Sequence, residues 1–310
     1  MIVDLRNNGG GSLYEAVQLS GLFIDKGPVV QTKLSYGKVD VKKDVDPRLA
    51  WNGPMVVMVN KLSASASEIF AAAMQDYGRA VIVGNQTYGK GTVQNVMPLN
   101  DYYNDSEVKL GQLKMTMGQF FRINGGSTQN RGVIPDITFP QSPGLEDYGE
   151  AAYENALPWN SIGSSDYTLF DDLSDEISLL RKRYKERSEV NFEFDFLKNE
   201  IALYEKEKDD NTVSLSAAVR DQKIKDHKQR KHTRKKKRAE LLASIEPHPL
   251  LGQVNLVFDS KDALKSDDTL QAEQEAKEES DEENEEFVDF RLHETARILS
   301  DFINLKMENL

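Results

Sequence analysis

From Met1 to about Pro140 the spacing of apolar and polar positions changes repeatedly, and each change marks an element. Ile2–Leu5 reads as a short strand, followed by the turn Asn7-Asn8-Gly9-Gly10-Gly11 and a helix carrying Leu13, Val17, Leu22 and Phe23. Pro28–Leu34 and Lys38–Val41 flank Tyr36-Gly37, a hairpin signal. Met55–Val59 is continuously apolar, as expected of a central strand covered on both faces. A run of serines and alanines, Ser63–Glu68, then opens a helix that ends near Tyr77-Gly78. A strand at Ala80–Val83, the turn Gly89-Lys90-Gly91 and an alternating segment Thr92–Val96 follow. Leu113–Met117 and Gln119–Ile123 predict two further extended segments, and Pro135 and Pro140 close the region. Strands alternating with helices predict an α/β fold over residues 1–140.

Residues 141–310 change character. Charged helical stretches dominate, such as Leu179–Glu186 and Phe192–Lys206, and predict a largely α-helical second domain. Lys223 to Arg238 holds ten basic residues and one acid, whereas Glu273 to Asp289 holds ten acids and one lysine. The basic stretch reads as a solvated helix rather than a nucleic-acid patch, because 39 basic against 51 acidic residues leave the chain at net −12. The acidic stretch has almost nothing to bury, so a disordered linker is expected over residues 267–286. No apolar run approaches the about 20 residues of a membrane span. With no cysteine, thiolate metal sites, disulfides and a cysteine nucleophile are excluded. Met1 falls directly on a strand, so the chain is read as the back part of a longer protein, with any signal sequence upstream.

Two segments concentrate the candidate chemistry. A helix N-terminus at Ser65 would place its hydroxyl at the positive end of a helix, with the N–H of Ala66 available to a developing oxyanion. The competing reading makes Ser63, Ser65 and Ser67 helix-capping residues ahead of Glu68. The histidines are His227, His232, His248 and His293, so an imidazole base is absent from the first 226 residues. If Ser65 is a nucleophile, its base is most easily a lysine. Lys90, between two glycines, fits that role, and a regular strand would put Lys90, Thr92 and Gln94 on one face. A phosphate-binding loop is disfavoured there: Gly91 stands where Ser or Thr should reach Mg²⁺, and the segment that follows alternates like a strand where a helix is needed. Asp76 lies three helical turns, about 16 Å, beyond Ser65, which suits an anchoring role better than proton transfer. Consecutive glycines at 9–11 can turn an N–H toward an oxyanion or accept a substrate strand.

Together Asp4–Gly11, Ser63–Arg79, Gly89–Gln94, Asn124–Gln129 and Gly132–Asp136 resemble the carboxyl-terminal processing proteases of peptidase family S41, most closely the tail-specific type. Asn155-Ala156-Leu157-Pro158-Trp159 and Val213-Ser214-Leu215 resemble that type's C-terminal extension. The resemblance implies a crotonase/ClpP-like spiral α/β protease core over residues 1–140 and a helical domain over 141–310. It places the nucleophile on Ser65, the general base on Lys90, a supporting glutamine on Gln94 and a third charge-relay member on Asp76. The oxyanion donors fall on Gly9 or Gly10 and on Ala66. The activity implied is that of a serine endopeptidase of the Gram-negative periplasm, without cofactor or metal, acting on proteins with apolar C-terminal tails. Those tails would be taken by a PDZ domain, and a TPR lipoprotein adaptor is an implied partner. Neither the PDZ domain nor the front of the catalytic domain is in this sequence, so little activity is expected of these 310 residues alone. The alternative is an inactive remnant or scaffold piece that keeps the motif.

Overall fold

The computed structural model describes residues 1–102, 109–145, 148–208, 212, 214–244 and 289–308. The linker expected over 267–286 lies outside the described residues. The chain divides into two compact units, Met1–Asp209 with Asp289–Leu310, and Asp210–Val288.

The first unit is built on two four-stranded sheets. One is parallel, in the order β1 (Ile2–Asp4), β4 (Val56–Val59), β5 (Val81–Gly84) and β8 (Ile137–Thr138). The other is antiparallel, in the order β3 (Val39–Asp44), β2 (Gly27–Leu34), β7 (Gln112–Phe121) and β6 (Thr92–Pro98). Side chains of a strand alternate between faces, and β4 uses both. Met55, Val57 and Val59 join a core with helices α1 (Leu13–Gly21) and α2 (Ala66–Asp76). Val56 and Met58 face a second core with α3 (Ser174–Val190), α4 (Phe192–Lys208) and α6 (Phe290–Glu308). This two-sided cover is why Met55–Val59 reads as unbroken apolar sequence. The α/β class and the helical C-terminal part are both present.

Two local expectations need correction. The helix after the glycine turn begins at its N-cap Ser12, whose Oγ accepts the N–H of Glu15, but ends at Gly21; Phe23 is buried beyond it and Leu22 is exposed. The two segments expected around Gly118 form the single strand β7. Gly118 is not a break. It sits opposite both Val93 and Leu34, where a Cβ would lie 2.4 Å from the carbonyl oxygen of Lys33.

Helix α6 docks through Ile298, Phe302 and Leu305, while Ile303 is exposed. Arg187 ties it to α3 through Glu294 (2.8 Å) and Asp301 (2.6 Å). In the second unit the basic stretch lies within helix α5 (Ala217–Ser244), whose residues from Ala217 to Gln229 are exposed. Among the described residues no helix is long and apolar enough to cross a membrane.

Candidate active site

The turn from β4 into α2 gives the three serines of the run different surroundings. Ser63 is fully buried; its Oγ donates to the carbonyl of Leu5 (2.8 Å) and accepts the N–H of Asn60. Ser67 donates to the carbonyl of Asn8 (3.0 Å), as does the N–H of Ala64. Both hydroxyls therefore fasten the turn to the end of β1. Ser65 does neither, and its side chain lines an open cleft of about 330 Å³. Its backbone sits at φ 57°, ψ −113°, a region that residues with a Cβ rarely occupy, so the surrounding bonds must hold it there.

Glu68 supplies the hold. This fully buried carboxylate accepts the N–H of Ser65 (2.7 Å) and of Lys90 (3.0 Å) on Oε2, and the N–H of Gly89 (2.7 Å) and the Thr87 hydroxyl (2.5 Å) on Oε1. Burial pushes its pKa up to about 7, against the pull of these four donors. The N–H of Tyr88 also reaches the carbonyl of Ser63 (2.9 Å). The serine turn and the lysine loop are thus strapped together by their backbones. Sequence reasoning saw Glu68 only as a capping residue. The signal was an acid beside the unbroken run Ile69–Met74, all of it buried.

Lys90 lines the 330 Å³ cleft together with Ser65, Thr92 and Gln94. The regular strand assumed for Lys90, Thr92 and Gln94 is interrupted, since the register shifts between Val93 and Gln94, yet all three reach the cleft. Leu13, Ile69, Val93 and Phe120 give it an apolar lining, and Lys114 of β7 adds a second cation. Neither lysine side chain has a hydrogen-bonding or ionic partner among the described residues. Another lysine, Lys61, has its amine pushed down by burial, with the charge of Glu68 opposing, but lines neither this cleft nor its neighbour. Among the described residues no histidine lines either cleft.

The glycine turn comes up against Ser65 from the end of β1. A Cβ on Gly10 would lie 2.5 Å from the carbonyl oxygen of Ala64 and 2.7 Å from the nitrogen of Ala66, so only glycine fits at this φ of 92°. The N–H of Gly10 is taken by Asn8 Oδ1 (2.9 Å). Gly9, Gly11 and Ala66 keep N–H groups without an acceptor among the described residues; Gly11 and Ala66 line the cleft of Ser65, Gly9 the neighbouring one. Asp76 is not brought to the cleft. It ends α2, buried, in a two-point pair with Arg122 (2.6 and 3.1 Å) and a bond from Asn124 (2.8 Å). Burial pushes its carboxyl up, with Arg122 opposing. Among the described residues no group of three or more His, Asp or Glu is placed to hold a metal.

The sequence profile of peptidase family S41 matches residues 1–139, and that of the C-terminal domain of tail specific protease matches residues 145–304. The chain belongs to the tail-specific protease family. A tail-specific protease of Haemophilus influenzae is 39% identical over 306 residues, covering 98% of this chain and 40% of that protein. A carboxy-terminal-processing protease of Bartonella bacilliformis is 37% identical over 141 residues, 45% of this chain and 31% of that protein. The chain thus spans less than half the length of these curated relatives. Among solved structures, a photosystem II D1 C-terminal processing protease aligns at 32% identity over 44% of this chain and 34% of its own, with a TM-score of 0.37.

Proposed function

We propose that this chain carries the catalytic centre of a serine endopeptidase in which Ser65 attacks the peptide carbonyl and Lys90 acts as general base. The observation that carries this is the sharing of one cleft by a serine held at positive φ and a lysine, both strapped to buried Glu68, with neither an imidazole nor a partner for that lysine among the described residues. A lysine accepts the proton of the hydroxyl in its neutral form. The N–H of Ala66, at the first turn of α2, and that of Gly9 or Gly11 would receive the negative charge developing on the carbonyl oxygen. Gln94 would orient the amine from the same wall without adding charge. Asp76 acts on structure, anchoring the far end of α2 to Arg122. Family membership extends the reading to proteins with apolar C-terminal tails in the periplasm of a Gram-negative cell, and a TPR lipoprotein adaptor is the implied means of delivery. Residues 1–140 would form the protease part and 141–310 its C-terminal domain.

The test is covalent labelling with a serine-reactive fluorophosphonate, read by intact mass and peptide mapping. The expected result is one adduct on Ser65, absent from Ser65→Ala and formed much more slowly by Lys90→Ala. A folded chain that takes no label at Ser65 would favour an inactive scaffold and sink the proposal.

A further inference from the structure

A second depression, about 530 Å³, lies on the other side of the wall formed by Lys90, Thr92, Gln94 and Lys114. Its far side comes from the segment that follows the protease core, through Glu150, Tyr153 and Asn155. This segment is fastened directly to the lysine loop. The N–H of Glu150 donates to the carbonyl of Tyr88 (3.0 Å), and Gly149 approaches that same carbonyl so closely that a Cβ would lie 2.7 Å from it. The fully buried Gln129 bridges the two, accepting the N–H of Gly91 (2.8 Å) and donating to Glu150 Oε1 (3.3 Å). Oε2 of Glu150 has no partner among the described residues. Beside it the hydroxyl of Tyr88 donates to that of Tyr153 (3.3 Å). Burial, this bond and the negative charge of Glu150 all push the Tyr88 phenol upward, so the ring faces the depression neutral.

We propose that this second depression is a substrate subsite for a basic side chain, with Glu150 as charge partner and the Tyr88–Tyr153 pair as its aromatic wall. The inference rests on the hydrolase reading above for the word substrate. A guanidinium or ammonium entering from the serine side meets Lys114 on the shared wall, which repels it toward Glu150. Aromatic faces and a fixed carboxylate together favour a cation there. The opposite choice, an acidic side chain taken by Lys114, relies on a long exposed side chain that nothing anchors. The C-terminal domain would thereby set sequence preference beside the scissile bond, while the apolar cleft over Leu13, Ile69 and Phe120 takes the other neighbour.

Binding can be read without turnover, so failure of hydrolysis and failure of this inference are separable. In the Ser65→Ala chain, fluorescence anisotropy would compare two series of labelled peptides with an apolar residue at one position and either Arg or Glu scanned through the next four. At low salt the Arg series should bind roughly fivefold or more tightly at one position. Glu150→Gln, which keeps an acceptor for Gln129, should bring the ratio near one, and Glu150→Lys should invert it. Tyr153→Leu should weaken Arg binding with little effect on Glu. Equal binding of both series, tighter binding of Glu, a preference that survives Glu150→Gln, or no binding of either peptide would overturn the proposal.

Discussion

Ser65 and Lys90 donate their backbone N–H groups to one and the same oxygen, Oε2 of Glu68, at 2.7 and 3.0 Å. A carboxylate at that point fixes the separation of the two backbones before either side chain is considered. Proximity of this kind is worth most when the groups holding it are themselves buried and immobile, and Glu68 is fully buried. In this arrangement the strained serine and the glycine-flanked lysine are two ends of one clamp.

The first expected outcome concerns the pair itself. Ser65→Ala and Lys90→Ala should each abolish peptide cleavage while leaving the fold intact. Gln94→Ala should lower the rate by about tenfold or more, in line with loss of a positioned polar group. Cleavage of a fluorogenic peptide by the full-length protease is the assay. Substantial turnover by Lys90→Ala would remove the general-base assignment.

Glu68→Ala leaves three N–H groups and the Thr87 hydroxyl without an acceptor in a buried place. Each orphaned donor costs about 1–3 kcal/mol, though not additively, so a loss on the order of 3 kcal/mol or more is expected in urea denaturation. Glu68→Gln, with one acceptor oxygen remaining, should cost less. Equal stabilities of Glu68→Ala and the parent chain would show that the clamp contributes nothing.

The same residue gives a signed pH effect. Its carboxyl titrates near 7 in the folded chain against 4.5 ordinarily. Between those values the folded state holds a proton that the unfolded state has released, so stability from this group falls as pH rises from about 4.5 to about 7 and is level on either side. Asp76 and Asp136 shift in the same direction. The informative measurement is therefore the difference in unfolding free energy between the parent and Glu68→Gln across that window. A difference that does not change with pH would contradict the raised value.

Asp76 separates structure from chemistry. Asp76→Ala strands the largely buried Arg122 and should cost about 3–5 kcal/mol of stability. At a temperature where the variant stays folded, its turnover per folded molecule should match the parent. A loss of turnover without a loss of stability would instead make Asp76 part of the reaction.

Much of this was legible in the sequence, for identifiable reasons. β4 could be read because both its faces are apolar, and the serine and lysine segments because small residues and glycines gather where backbones approach closely. The regions around Gly21 and Gly118 misled because glycine there ends a helix early in one case and permits strand contact in the other. The roles of Glu68, Lys114 and Glu150 were hidden for another reason. Each depends on a partner far along the chain: Glu68 on Gly89 and Lys90, Lys114 on the cleft across from Ser65, Glu150 on Gln129 and Tyr88. Local pattern carries no trace of such pairings.

Helix α6 covers the face of the parallel sheet that α1 and α2 leave open, placing Ile298, Phe302 and Leu305 against the side of β4 that carries Val56 and Met58. A ribosome delivers β1, β4 and β5 well before it delivers Phe290–Glu308. Until that helix emerges, the core on the Val56 and Met58 side of β4 has only α3 and α4 to cover it. The strand that leads into the turn of Ser65 is therefore fully covered on that face only after a helix far along the chain has been made and has docked.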